Sequence, residues 1–72
     1  MEINRVALAE LRKLSGLSQA ELARRGRFSQ GYISELEKGT KQPSPAMVKR
    51  LAGVLGVDIA AIRSHVPSGR AS

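Results

Sequence analysis

The sequence predicts an all-α fold. Apolar residues recur every three or four positions along the chain, and Ser, Gly or Pro residues separate successive segments of this kind. No stretch shows the period-two alternation of β-branched residues that marks a half-buried strand. One Tyr, one Phe and three Pro leave Leu, Ile, Val and Ala to build the core, as is typical of helical bundles. The 72 residues suffice for one small domain, which buries about 60% of its unfolded surface.

The domain is expected to span residues 1–66, followed by a loose tail at 67–72. Its first helix is predicted at residues 3–14, with Gly16 as the residue that stops it. In this helix, the apolar stripe that should face the core consists of Ala7, Leu8, Leu11 and Leu14.

Two short helices joined by a tight turn are predicted between Ser18 and Gly39. The first opens with a capping box, in which Glu21 follows Ser18 by three residues, and it ends near Gly26. The second is capped by Ser29 and stops at Gly39. The apolar positions of this pair of helices are Leu22, Ala23, Phe28, Ile33 and Leu36.

A polar loop leads from this pair to a fourth helix, which Ser44 caps and Pro45 begins. Gly56 is expected to end it. Lys49 and Arg50 are expected on its solvated face. Its inward residues, at intervals of four, are predicted to be Met47, Leu51 and Leu55.

A short fifth helix is predicted over residues 59–66, capped by Asp58 and buried through Ile59 and Ile62. His65 lies near its end and has no carboxylate or thiol neighbour in the sequence. We therefore expect His65 to be an exposed side chain rather than a catalytic residue or a metal ligand.

Nothing in the sequence predicts an enzyme. The chain has no Cys, and it lacks a phosphate-cradling glycine loop, a paired acidic dyad and an HExxH motif. We expect no cofactor, no bound metal and no small-molecule ligand. No apolar run approaches the roughly 18 residues of a transmembrane helix. The absence of Cys fits a reducing cytoplasm, so we expect a cytoplasmic protein that does not contact membranes.

The chain is strongly basic. Twelve Lys and Arg residues against six Asp and Glu give a net charge of +6 and a pI near 10.9. A small basic domain commonly binds a polyanion, DNA above all, although charge can also serve solubility alone. Polar residues on the second helix of the pair favour DNA, because amide, hydroxyl, carboxylate and amino groups contact base edges. These residues are Gln30, Gly31, Tyr32, Ser34, Glu35 and Lys38.

The stretch SQAELARRGRFSQGYISELEKG, from Ser18 to Gly39, resembles the helix-turn-helix of the lambda-repressor/Cro-like family, also called the Cro/C1 or Xre-type family. The resemblance extends over LRKLSGLSQAELA and ISELEKGTKQPSPAMVKRLAGVLGV, from about Ile3 to Ile62. It implies a compact five-helix domain and a sequence-specific, double-stranded DNA-binding regulator of transcription, most simply a phage- or prokaryote-type repressor. The alternative is an antitoxin or a restriction–modification controller protein with autoregulatory DNA binding. A homodimer, formed in solution or only on DNA, is expected.

Helix-turn-helix proteins place the first turn of the second helix in the major groove. The helix near 29–38 is therefore predicted to contact bases through Gln30, Gly31, Tyr32, Ser34 and Glu35. Gln30 is the principal candidate, because its amide can pair with N6 and N7 of adenine. Glu35 can accept a hydrogen bond from a cytosine amino group or repel other bases. Tyr32 has three alternatives: a thymine methyl group, a phosphate, or burial in the fold.

Contacts to the DNA backbone are predicted at both ends of the motif. The helix N-terminus at Ser18 favours a phosphate, and the resemblance implies that Gln19 touches the backbone there. The candidate backbone-contacting residues are Ser18, Gln19, Ser29, Lys38, Thr40 and Lys41. The resemblance also implies an ion pair between Arg12 and Glu37, for which two independent solvated charges are the alternative.

The turn departs from the family pattern. Arg27 stands where the family has a glycine, and Gly26 stands one residue earlier. The spacing from Ala23 to Ile33 is unchanged. Either Arg27 adopts a left-handed conformation, or the chain reverses its direction at Gly26.

Overall fold

The structure, a computed structural model, describes residues 2–63. Within that range the chain is helical and contains no strand, which confirms the all-α prediction. Its helices are α1 (Arg5–Leu14), α2 (Gln19–Gly26), α3 (Gln30–Lys38), α4 (Pro45–Leu55) and α5 (Ile59–Arg63). The predicted tail, His65 and the last three residues predicted for the fifth helix lie outside the described residues. No helix in the described part of the chain combines the length and the apolarity that a bilayer span requires.

Helix α1 begins two residues later than predicted, because Asn4 caps it. The Asn4 side chain accepts hydrogen bonds from the backbone N–H groups of Val6 and Ala7, at 3.0 and 3.1 Å. Ile3 therefore lies outside the helix, yet it is buried. Its N–H donates to Oε1 of Gln42 at 3.0 Å, which ties the start of the chain to the loop before α4.

The capping box predicted for α2 is present. The N–H of Glu21 donates to Oγ of Ser18 at 3.0 Å, and the N–H of Ser18 donates to Oε1 of Glu21 at 2.9 Å. The hydrogen bonds from Ser18 favour the carboxylate form and hold the pKa of Glu21 below its usual value. A lowered pKa stabilises the fold above the unfolded-state pKa, so this contribution is lost as the pH falls into the acid range.

The core forms around α3, which packs against α1 and α2, while α4 packs against α2 and α5 against α1 and α4. Ile33 and Leu36 of α3 have no exposed surface, as their three-residue spacing predicts. Phe28 and Tyr32 are half-buried against the same cluster. The buried residues of the cluster are Ile3, Leu8, Leu17, Leu22, Ala23, Ile33, Leu36, Val48, Leu51, Ala52, Leu55 and Ile62.

Two predicted core residues are not in the core. Leu14, the last residue of α1, is 84% exposed, and Leu17 in the following loop is buried instead. In α4, Val48 is fully buried and Met47 is only half-buried. Strict four-residue spacing drifts around a helix of 3.6 residues per turn, so the true stripe combines steps of three and four. That stripe consists of Val48, Leu51, Ala52 and Leu55.

The two leucines on α1 and α3 provide a matched test of this core. Leu36→Ala should lower the free energy of unfolding by about 2–5 kcal/mol, because it leaves a cavity at a fully buried site. Leu14→Ala removes the same atoms from an exposed position and should change the free energy of unfolding by no more than about 0.5 kcal/mol. Urea titration of both variants checks the difference, and equal losses would contradict the burial described.

Candidate nucleic-acid interface

The outward face of α3 borders an open groove of about 490 Å³. Gln30 and Gly31 are exposed at the first turn of the helix, and Ser34 and Glu35 are half-exposed one turn later. Four of the predicted base-contacting residues therefore lie on the outward face of α3, whereas Tyr32 is half-buried, and Gln30 lies outside the lining of the groove. The groove is lined by Ser29, Gly31, Tyr32, Ser34, Glu35, Lys38 and Lys41.

The first turn of α3 is held by its cap, as predicted. Oγ of Ser29 accepts a hydrogen bond from the N–H of Tyr32 at 3.0 Å, and Gln30 directly follows as the first helical residue. A side chain in this position projects from the end of the helix. Because the cap fixes the backbone from Ser29 to Tyr32, the long amide side chain of Gln30 starts from a defined point.

Tyr32 lies between the core and the groove. Its ring stacks on the ring of Phe28 at a centroid separation of 5.6 Å and an interplanar angle of 26°. Of the alternatives predicted for Tyr32, burial in the fold fits best, because the residue is half-buried. Tyr32 nevertheless also lines the groove. Tyr32 therefore joins the groove to the aromatic side of the core.

Glu35 and the loop after α3 form a connected polar group. Nζ of Lys41 lies 3.2 Å from Oε1 of Glu35 and 6.0 Å from the centre of the Tyr32 ring. Both the N–H and the hydroxyl group of Thr40 donate to the carbonyl oxygen of Glu35, at 3.0 and 3.2 Å. Thr40 and Lys41, which are predicted to contact the DNA backbone, are thus held against α3.

Arg12 of α1 and Glu37 of α3 form a nearly buried ion pair. Nε of Arg12 lies 2.6 Å from Oε2 of Glu37, and Nη2 donates to Oε1 at 3.0 Å. The side chains are only 11% and 8% exposed. The hydrogen bond to Glu37 raises the pKa of Arg12 above its usual value, so the guanidinium stays charged.

The same carboxylate holds the beginning of α2. Nε2 of Gln19 donates to Oε1 of Glu37 at 3.1 Å, and Nη1 of Arg12 donates to the carbonyl oxygen of Leu17 at 2.9 Å. Gln19 is half-buried, with its amide directed to Glu37 rather than to solvent. The start of α2 is therefore fixed to the end of α3, which sets where Ser18 and Gln19 stand relative to the groove.

In the turn between α2 and α3, Arg27 is left-handed, which is one of the two predicted alternatives; the other was a reversal at Gly26. Arg27 has φ 63° and ψ 41°, the left-handed conformation, at a cost of about 1 kcal/mol for a residue that is not glycine. Gly26 is the last residue of α2, and a Cβ at this position would overlap the ring of Phe28. The chain therefore reverses at Arg27, and the glycine serves close packing instead.

Arg50 is exposed on α4, as predicted, but its side chain also bonds the turn between α2 and α3, which was not predicted. Its Nη2 donates to the carbonyl oxygens of Gly26 and Arg27, and its guanidinium lies 4.7 Å from the centre of the Phe28 ring. No signal in the sequence indicates this contact, since it joins residues more than 20 positions apart. Lys49, its neighbour on α4, is exposed as expected.

The chain is similar in sequence to known proteins. The helix-turn-helix family matches residues 8–62. One curated relative, the uncharacterized HTH-type transcriptional regulator y4dJ of Sinorhizobium fredii, is 45% identical over 49 residues, 68% of this chain and 64% of the relative. The immunity repressor protein of Bacillus phage phi105 is 33% identical over 52 residues, 72% of this chain and 36% of the relative. The chain spans less than two thirds of the length of either relative.

A solved structure shares the fold. The master regulator for biofilm formation SinR, solved in complex with DNA, superposes with a TM-score of 0.77. The match is 25% identical and covers 81% of this chain and 97% of that chain.

The ion pair between α1 and α3 should be costly to break from one side. Arg12→Met leaves the carboxylate of Glu37 nearly buried beside only one neutral donor, Gln19, and should lower the free energy of unfolding by about 3–5 kcal/mol. The double variant Arg12→Met/Glu37→Leu removes both charges and should recover much of that loss. Urea unfolding measures both variants, and a double variant no more stable than Arg12→Met would contradict the explanation.

Proposed function

Because the chain belongs to the Cro/C1-type helix-turn-helix family, we propose that it is a sequence-specific regulator of transcription that binds double-stranded DNA with α3 in the major groove. The observation that carries the proposal is the outward face of α3. Gln30, Ser34 and Glu35 line up along it with their polar groups free of the core. Such groups match the donors and acceptors of base edges, while the opposite face of the same helix is fully buried.

Charge supports the same proposal. The net charge of +6 draws the chain towards a polyanion, and Lys38 lies exposed beside the groove. The start of α2 adds the backbone N–H group of Gln19, in the first turn of the helix, where a phosphate oxygen is favoured; the N–H of Ser18 is already used by Glu21 in the capping box. We propose that Ser18, Gln19, Ser29, Lys38, Thr40 and Lys41 contact the DNA backbone.

Glu35 gives the proposed interface selectivity. A carboxylate in the major groove accepts hydrogen bonds from a cytosine amino group and is repelled by the acceptor atoms of other bases. In the free protein Lys41 lies 3.2 Å from this carboxylate and offsets its charge. On DNA the same ammonium group can turn to a phosphate, since both side chains are about half exposed.

We propose that the regulator acts as a repressor and binds as a homodimer. The name of the phage phi105 relative, an immunity repressor, supports repression. One α3 offers about four side chains for base contacts, which distinguish too few base pairs to single out a site in a genome. Two copies on a two-fold symmetric operator would double the number of positions, with half-site centres about 34 Å apart.

Selection of bound sequences from a pool of random duplexes tests the function directly. We expect an inverted repeat whose half-sites are separated by one helical turn, and two protein chains per selected site in a titration. Placed across a promoter, the selected site should reduce transcription in vitro when the protein is added. Recovery of no preferred sequence would overturn sequence-specific binding, and one chain on a site without symmetry would overturn the dimer.

Gln30→Ala tests the predicted base contact. The substitution removes two hydrogen bonds to one base pair and leaves phosphate contacts intact. Binding to the selected site should weaken by about 1–3 kcal/mol, and base preference should relax at one position of each half-site. Affinities measured for the selected site and for a scrambled duplex check this.

Lys38→Ala is the matched control, because Lys38 lines the same groove and is proposed to contact a phosphate. It should weaken binding to both duplexes alike and lower the slope of log affinity against log salt by about one. Equal losses on both duplexes with Gln30→Ala would show that Gln30 contacts no base.

A further inference from the structure

The C-terminus of α2 is capped by backbone hydrogen bonds, although its left-handed residue is Arg27 rather than glycine. The N–H of Phe28 donates to the carbonyl oxygen of Ala23 at 2.8 Å, and the N–H of Arg27 donates to that of Arg24 at 3.3 Å. This pattern is a Schellman motif, which requires a left-handed residue and usually has glycine there. Arg27 takes the left-handed conformation without the freedom of glycine, so the turn needs support from elsewhere.

Arg50 supplies that support from α4. Its guanidinium donates to the carbonyl oxygens of Gly26, the last residue of α2, and of Arg27, at which the chain reverses. Carbonyl oxygens at a helix C-terminus lack partners within the helix and carry partial negative charge, so a cation is favoured there. Both bonds come from Nη2, while Nη1 donates to Sδ of Met47 on α4 at 3.5 Å, so the guanidinium contacts the turn and its own helix together.

The same guanidinium is also connected to α3 through aromatic contacts. It lies over the ring of Phe28, and Phe28 in turn stacks on Tyr32 in the first turn of α3. Arg50, Phe28 and Tyr32 share a groove of about 420 Å³ with Ser29, the cap of that turn. A continuous set of contacts therefore runs from Arg50 of α4 through Phe28 to Tyr32, two residues after Gln30.

Arg50 makes these contacts despite like charges nearby. Arg25 and Arg27 line the recess beside it, together with Gly53 and Val54 of α4. No described carboxylate forms an ion pair with these three arginines, so Arg50 gains nothing from a neighbouring side-chain charge at this position. The carbonyl oxygens and the aromatic face hold it there.

We infer that Arg50 is a positioning residue for base recognition: it clamps the turn whose left-handed residue is Arg27 rather than glycine, and thereby sets the direction in which the first turn of α3 presents Gln30. Arg50 contacts no base itself in this assignment. The inference rests on the proposed function, because the direction of α3 matters for specificity only if α3 enters the groove.

Four proteins test the clamp: the wild type, Arg50→Ala, Arg27→Gly, and the double variant. Unfolding by urea, without DNA, gives the first readout. Arg27→Gly relieves the left-handed strain, so Arg50→Ala should lower the urea midpoint clearly in the wild-type background and much less in the Arg27→Gly background. Equal shifts in the two backgrounds would overturn the clamp.

The second readout is the ratio of affinities for the selected site and for a scrambled duplex, measured below the unfolding transition. Arg50→Ala should reduce this ratio roughly fivefold, and Arg27→Gly should restore it in the double variant. Lys49→Ala removes the same charge from the neighbouring exposed position and should leave the ratio unchanged. An unchanged ratio in Arg50→Ala, or an equal loss in Lys49→Ala, would overturn the positioning role.

Arg50→Lys covers the case in which Arg50→Ala does not fold. Arg50→Lys keeps the charge but loses the planar group that lies over the Phe28 ring, so it should lower the ratio in the same direction by a smaller factor, again with recovery by Arg27→Gly. A wild-type protein that binds both duplexes equally would overturn the proposed function and the positioning role with it. The urea readout would then still show whether Arg27 and Arg50 are coupled in the fold.

Discussion

The ion pair between Arg12 and Glu37 fixes the geometry on which the rest of this domain depends. Removing two charges from water costs several kcal/mol each, so the pair contributes little net stability compared with an apolar contact. The pair instead fixes the relative positions of the helices, because the two side chains meet in one bidentate geometry. Arg12 also donates to the carbonyl oxygen of Leu17, and Glu37 also accepts from the amide of Gln19. Helix α1, the start of α2 and the end of α3 are thereby fixed at one point.

Arg50 acts at the other end of α3. One arginine, from α1, holds the last turn of α3 through Glu37, and a second, from α4, holds the turn that leads into α3. Between these two points α3 buries Ile33 and Leu36 completely and exposes its opposite face. A helix of nine residues is too short to be stable alone, so its position is determined by these tertiary contacts rather than by its own propensity.

The helices could be predicted because caps and stops are local signals. Ser18, Ser29 and Ser44 cap their helices as predicted, and Gly39 takes the left-handed conformation that a helix stop requires. The first cap was not predicted, since Asn4 lies inside a run that has helical periodicity throughout. At the site, the polar face of α3 could be predicted except for Tyr32, which is half-buried, and the family resemblance implied the Arg12–Glu37 pair. The contacts of Arg50 with the turn could not be predicted.

Long-range contacts explain the errors in the remaining predictions. Spacing alone cannot separate Met47 from Val48, which differ by about 100° around α4; the neighbouring helices decide which of them is buried. Arg50 illustrates the same limit, because its partners are backbone carbonyl oxygens, which exist at every position and leave no trace in the sequence. Of the two residues involved, only Arg27 could be noticed in the sequence, because it stands where the family has a glycine. A residue that departs from a required backbone conformation implies a compensating contact, but only the folded chain shows which side chain provides it.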